Sequence, residues 1–269
     1  MEDSEHYALF PGDRFVPLAS AQNFREVGGY PTEDGRRLRR HMIWRSASLD
    51  DLTAEDAKVL SRLGIRLIAD LRRASEREIA AERVWPTEEI RLLWWDDVSD
   101  ASPSALAAFR HYHGDGEIYR AAMLNYYQAM MDAHVHRLRD IYQAIAQDCL
   151  PVLIHCAAGK DRTGFAVALL LKLLGVQHDY VLADYAVSER LIDWDRMALG
   201  AAMAAARTGR SVEMHPEARR LICRSDVGYL EAALDHVAQA HGSLAAFAET
   251  QLGVSARTME ALRARLLEA

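Results

Sequence analysis

The sequence predicts an α/β fold: a central, mostly parallel sheet of four or five strands flanked by helices, with a helical C-terminal part and a candidate helical lid. Three observations predict it. An amphipathic stretch closing at Gly64 runs into the apolar segment Ile65 to Leu71, so a helix feeds a strand. The apolar run Pro151 to Ile154 leads through a short polar loop into the strongly apolar stretch Phe165 to Leu174, so a strand feeds a helix. From Gln177 onward every periodicity is helical. Few strands, many helices and right-handed crossovers make a parallel sheet between helices the economical arrangement.

Residues 1–22 read as an N-terminal arm, broken by Pro11-Gly12 and Pro17, and residues 23–269 as a single domain. Gln22 to Tyr30 and Arg36 to Arg45 are extended segments around the turn Pro31 to Gly35, expected to form a small antiparallel entry ribbon. Thr53 with Asp56 three residues later resembles a capping box and starts a helix that Gly64 stops. Asp70 falls at the C-terminal end of the strand that follows. Ile90 to Trp94 is a further strand-length run, followed by Asp96, Asp97 and Asp100. Ser102-Pro103 starts a helical region, with Ser104 to Tyr112 and Ile118 to Gln147 periodic. Beyond Gly175, helices are expected over 178–194, 195–207, 216–223, 226–240, 243–251 and 255–268, with 186–225 as the helical insertion or lid, rich in Ala and Met.

Net charge is −7 and pI about 5.9, so the overall field opposes nucleic acid and anionic membranes, and any affinity for phosphate has to be local. Three cysteines, Cys149, Cys156 and Cys223, are too few and scattered for a disulfide framework, and none lies in a cluster with metal-ligand spacing. No metal or other cofactor is expected. The N-terminus lacks a basic n-region and an apolar h-region, and no apolar run approaches membrane-spanning length. The expected compartment is the cytoplasm, or export by a route that needs no recognisable signal peptide.

The ten residues from His155 to Gly164, HCAAGKDRTG, lie between the predicted strand and the apolar helix. With 11 His, 3 Cys and 29 Arg in 269 residues, the pattern H-C-x5-R is expected by chance only roughly 0.01 times in such a chain. A cysteine, a cradle of backbone N–H groups and an arginine thus surround one point at a helix N-terminus, a place for an oxyanion that a thiolate can attack. Helix N-termini and adjacent cations favour thiolates. The loop amides of Ala157, Ala158, Gly159, Lys160 and Thr163 can hold nonbridging oxygens. Arg162 offers a planar fork that lysine does not copy. The expected reaction is attack of Cys156 on a phosphate ester, followed by hydrolysis of a cysteinyl-phosphate.

Through this loop the chain resembles the protein tyrosine phosphatase superfamily, and more closely a bacterial branch of tyrosine/serine phosphatases with an HCxxGKDRTG loop. Asn23-Phe24-Arg25 with Gly28-Gly29-Tyr30, Arg45-Ser46, Asp70-Leu71-Arg72, and the stretch from Tyr229-Leu230 through Gly242 to Leu252-Gly253 match the same branch. The resemblance implies phosphotyrosine as substrate, with phosphoserine/threonine or phosphoinositide as further classes. It also implies a helical lid.

For the general acid two residues compete, Asp161 within the loop and Asp70 at the strand end, with Asp96, Asp97 and Asp100 as outsiders. Against this, Asp70 has a structural reading, as ion-pair partner of Arg72 or Arg45. His155 orients the loop or is a satisfied core histidine. Thr163 hydrogen-bonds the leaving thiolate or caps the helix. Lys160 is a candidate contact to a polyphosphorylated headgroup, and Asn23, Arg25 and Arg45 are candidate braces. Two rival functions are a phosphate-recognising module without turnover, against which the intact Cys156, Arg162 and nearby aspartates argue, and a sulfur- or arsenate-transferring enzyme, for which Cys149 and Cys223 give no supporting spacing.

Overall fold

The structure, a computed structural model, describes residues 8–10, 12–50, 52–79, 90–96, 116–197 and 216–269. Its strands are β1 (Arg25–Val27), β2 (Arg37–Leu38), β3 (Ile43–Ser46), β4 (Leu67–Asp70), β5 (Arg91–Leu93), β6 (Val152–His155) and β7 (Leu267–Glu268). The helices are α1 (Ala54–Ser61), α2 (Ala74–Ile79), α3 (Gly116–Ala146), α4 (Asp161–Leu174), α5 (His178–Ala186), α6 (Ser188–Leu191), α7 (Pro216–Cys223), α8 (Val227–His241), α9 (Leu244–Thr250) and α10 (Ala256–Leu266).

The main sheet has five strands in the order β1-β3-β6-β4-β5, parallel throughout except for the antiparallel edge strand β1. This is the predicted α/β architecture. Alternation along each strand divides the core. Trp44, Ile68 and Leu153 face a cluster with Leu60 of α1 and Phe24, while Ile43, Leu67, Ala69, Val152 and Ile154 face a larger cluster with α3, α4, α5 and the C-terminal helices. Covering on both faces explains why β3, β4 and β6 are buried at every residue. Helix α4 is buried nearly all round, as its continuous apolar sequence requires, and Gly175 closes it in a left-handed C-cap.

At the carboxyl ends of the central strands, Ser46 of β3 and Asp70 of β4 pair in register with His155 of β6 on either side. The candidates Asp70 and His155 therefore lie in one row with Ser46 at the edge from which the Cys156 loop departs. The capping box at Thr53 and Asp56 is present, and Asp56 also accepts from the backbone N–H of Ala19 at 2.7 Å, tying down the arm.

Several elements differ from expectation. The entry ribbon is not separate: β1 joins the main sheet through β3, and β2 pairs instead with β7. Strand β7 takes residues expected to be helical, because Leu267 becomes buried against Leu38 once the pair forms. The expected helix 178–194 breaks at Val187, where the carbonyl of Asp184, the partner of Ser188 in an unbroken helix, accepts Arg25 Nη2 at 2.6 Å. Helix α2 was not anticipated. The expected helix 104–112, most of 195–207, and the central part of the 186–225 lid lie outside the described residues.

Candidate active site

Strand β6 delivers Cys156, and residues 157–160 turn the chain into α4, whose first residue is Asp161. The N-cap residue of this helix, Lys160, makes no side-chain capping bond, so among the described residues its first-turn N–H groups lack that acceptor. Cys156 is 2% exposed.

The loop is shaped by buried side chains that pull on its carbonyls. Asn23 Nδ2 donates to the carbonyls of Ala158 (3.1 Å) and Gly159 (3.0 Å), and Arg45 Nη2 donates to that of Gly159 at 2.8 Å. These donors hold the carbonyls of Ala158 and Gly159 on the side of Asn23 and Arg45. Gly159 has φ +65°, and a Cβ there would sit 2.2 Å from the carbonyl oxygen of Ser46. Only glycine fits this close approach to β3.

Behind the braces lies a carboxylate that sequence reasoning missed. Asp184, fully buried on α5, accepts from Arg25 Nε at 3.3 Å and Tyr30 Oη at 3.1 Å, and pairs closely with Arg45 Nη1. Burial pushes its carboxyl up, but Arg45 and Arg25 outweigh this and hold it below the usual carboxylate range. Arg25 is itself pushed down to about 10 by burial and by the neighbouring Arg45. A charged residue in the otherwise apolar run Val181 to Ala186 was the available clue.

Arg162 is held by a second unpredicted residue, Glu76 of α2. Nη1 lies 2.6 Å from Oε2 and Nη2 2.9 Å from Oε1, and Nη1 also donates to the carbonyl of Leu71 at 3.1 Å. Burial pushes the Glu76 carboxyl up, yet Arg162 and then Arg73 drive it well below its ordinary value. Only the folding of α2 directly after β4 brings Glu76 here, and no sequence pattern marked it.

The two candidate acids sit differently. Asp70 gives both oxygens to Arg72, with Oδ1 3.0 Å from Nε and Oδ2 2.8 Å from Nη2, and accepts the Arg72 backbone N–H at 2.9 Å. Burial raises its carboxyl, but His155, whose Nε2 is 3.8 Å away, and Arg72 bring the net shift below the ordinary value. Asp161 accepts a short hydrogen bond from Tyr127 Oη at Oδ1, and Lys160 Nζ lies 3.4 Å from the same oxygen. Of the outsiders, Asp96 pairs with Arg77 at 2.7 Å, while Asp97 and Asp100 lie outside the described residues.

Lys160 is 1% exposed. Its ammonium donates to the carbonyls of Arg224, at 2.8 Å, and Ile222, and lies 5.4 Å from the centre of the Trp194 ring. These hydrogen bonds tie the loop to the end of α7. Thr163 is fully buried, with no hydrogen-bond partner for Oγ1 among the described residues. Burial raises the phenol of Tyr126 on α3, the Asp161 and Cys156 charges add to this, and Arg162 and Arg73 oppose it.

The sequence model of the tyrosine phosphatase family matches residues 16–268. The chain belongs to the tyrosine phosphatase family. It is 32% identical over 93% of its length to the triple specificity protein phosphatase PtpB of Mycobacterium tuberculosis, 98% of which is covered. It is also 30% identical, over 68% of its length and 66% of the relative, to a putative tyrosine-protein phosphatase of Cupriavidus necator. A tyrosine-protein phosphatase of Nostoc commune is 31% identical over 55% of this chain and 49% of that one.

As a member of this family the protein is a phosphoric monoester hydrolase, and its substrates carry phosphate. Among the described residues no helix is long and apolar enough to cross a membrane. At the candidate site the positive groups are local, a helix N-terminus and the Arg162 guanidinium, within a chain of net charge −7.

Proposed function

We propose that the protein hydrolyses phosphotyrosine, with phosphoserine/threonine or phosphoinositide as second substrate classes, through a cysteinyl-phosphate on Cys156. The observation that carries this reading is the placement of Cys156 and Arg162 at the two ends of one loop, with Arg162 aimed by Glu76 and the carbonyls of Ala158 and Gly159 held by Asn23 and Arg45.

In the first step Cys156 Sγ, as thiolate, forms a bond to phosphorus while the bond to the leaving oxygen breaks. That oxygen takes the proton of Asp161. Loop amides and the Arg162 fork stabilise the charge on the three equatorial oxygens. In the second step water attacks phosphorus, the Asp161 carboxylate takes its proton, and the S–P bond breaks to return the thiolate and release phosphate. Thr163 Oγ1, buried beside the loop and without another partner among the described residues, is assigned as donor to the departing thiolate.

Asp161 is favoured over Asp70 because Asp70 has both oxygens in the Arg72 fork, which favours a permanent carboxylate. Asp70 and His155 are then positioning groups at the strand ends. Breadth of substrate is supported by the relative described as triple specificity.

The test is hydrolysis of p-nitrophenyl phosphate and a phosphotyrosine peptide, in EDTA, by wild type, Cys156→Ser, Asp161→Asn and Asp70→Asn. Turnover that survives EDTA, vanishes in Cys156→Ser and falls most for poor leaving groups in Asp161→Asn is expected. Bound phosphate without turnover in the wild type establishes instead a recognition module.

A further inference from the structure

We propose that Tyr127, backed by Tyr185, is a positioning residue for leaving-group protonation: it holds the Asp161 carboxyl by Oδ1 and leaves Oδ2 to carry the transferred proton. The proposal rests on the reading of Asp161 as general acid.

Tyr127 lies on α3 and Tyr185 on α5, and both are fully buried. Tyr127 Oη donates to Asp161 Oδ1, so its single proton is used there, and its contact with Tyr185 Oη has Tyr185 as donor. The chain of donors therefore runs one way, from Tyr185 through Tyr127 to the carboxyl. Both phenols are held neutral far above ordinary pH, by burial first and by the Asp161 charge second, so the direction does not reverse.

Both contacts that the described residues make with Asp161 fall on Oδ1: the Tyr127 hydroxyl, and the Lys160 ammonium at 3.4 Å. An oxygen that accepts the Tyr127 hydrogen bond and faces the Lys160 ammonium is a poor place for a proton. The proton of the acid form consequently belongs on Oδ2, the oxygen without such a partner among the described residues. A carboxyl on the first residue of a helix would otherwise rotate between solvent and site, and fixing its rotamer is what proximity requires of a general acid.

The pair has a structural alternative, since Tyr127 also packs on Tyr229 at 5.7 Å between ring centres, and Tyr185 lies against Gly164. Phenylalanine at 127 keeps that packing and removes only the hydroxyl. The experiment compares Tyr127→Phe, Asp161→Asn and the double variant on aryl phosphates with poor and good leaving groups, reading kcat and KM separately. Tyr185→Phe is included as a milder variant.

Expected for Tyr127→Phe is a loss of roughly tenfold in kcat with a phenyl phosphate leaving group, little change with a leaving group that needs no proton, and unchanged KM. In the double variant the loss equals that of Asp161→Asn alone. Equal losses for both leaving groups, additivity with Asp161→Asn, or no loss at all overturns the positioning role. If Asp161→Asn itself shows no dependence on leaving group, the acid assignment falls and this proposal falls with it. A dependence in Asp161→Asn that is missing in Tyr127→Phe overturns the positioning role alone.

Discussion

Glu76 and Arg162 meet fork to fork, Oε2 2.6 Å from Nη1 and Oε1 2.9 Å from Nη2. A planar guanidinium gripped along its Nη1–Nη2 edge is fixed in orientation as well as position, with Nε and one Nη2 hydrogen outside this pair. Glu76→Gln keeps the shape but loses the charge and one acceptor. We expect kcat/KM for p-nitrophenyl phosphate to fall roughly tenfold to a hundredfold with the fold retained. Unchanged kcat/KM in a folded variant means the Leu71 carbonyl aims Arg162 without help.

Asp184 is the shared counter-charge of Arg25 and Arg45 in a fully buried cluster. Asp184→Asn leaves two guanidinium groups in the core without a counter-charge, and the expected cost is roughly 3 kcal/mol. For a chain of this size that is roughly 6–12 °C in Tm. Thermal and urea unfolding measure it, and a loss below about 1 kcal/mol contradicts the buried-pair account.

Gly159→Ala places a methyl 2.2 Å from the Ser46 carbonyl oxygen at a backbone φ of +65°. Loop and strand cannot both keep their positions, and a drop in kcat of about a hundredfold or more is expected. Gly12→Ala, whose Cβ meets nothing within 4 Å among the described residues, is the control and should change stability by less than about 0.5 kcal/mol. Similar behaviour of the two variants disproves the steric argument.

His134 is pushed down to about 3 from an ordinary value of 6.5, by burial first and by the Arg137 and Arg162 charges next. Its folded value is below its unfolded one, so the unfolded chain takes the proton first. The associated stability is complete above about pH 6.5 and is lost as pH falls toward 3. Between pH 6.5 and 4.5, before the Glu76 carboxyl begins to contribute, the slope from this one group approaches about 1.4 kcal/mol per pH unit. His134→Gln should flatten urea-unfolding stability in that interval, and an unaltered slope rules the histidine out.

Legibility followed range. The capping box at Thr53, the strand of Ile65 to Leu71 and the apolar helix after Thr163 rest on neighbours in sequence, and the structure shows all three. Strand pairing was less legible. The extended segments at 22–30 and 36–45 were visible, but β2 pairs with a strand at the far terminus that by propensity reads as helix. The helical break at Val187 belongs with a hydrogen bond from Arg25 more than 150 residues away in sequence.

The sequence by itself determined the α/β class, the loop His155 to Gly164 and the chemical types gathered in it, because periodicity and a ten-residue motif are local properties. Tertiary structure alone decided which groups hold those types in place. Glu76, Asp184, Tyr127 and Tyr185 reach the site only when α2, α3 and α5 pack at the carboxyl edge of the sheet. It also separated the two aspartates, committing Asp70 to Arg72 and leaving Asp161 one oxygen without a partner among the described residues. The physical reason is that a charge has no fixed role until its partners and its solvent exposure are set, and both depend on contacts between residues far apart in the chain.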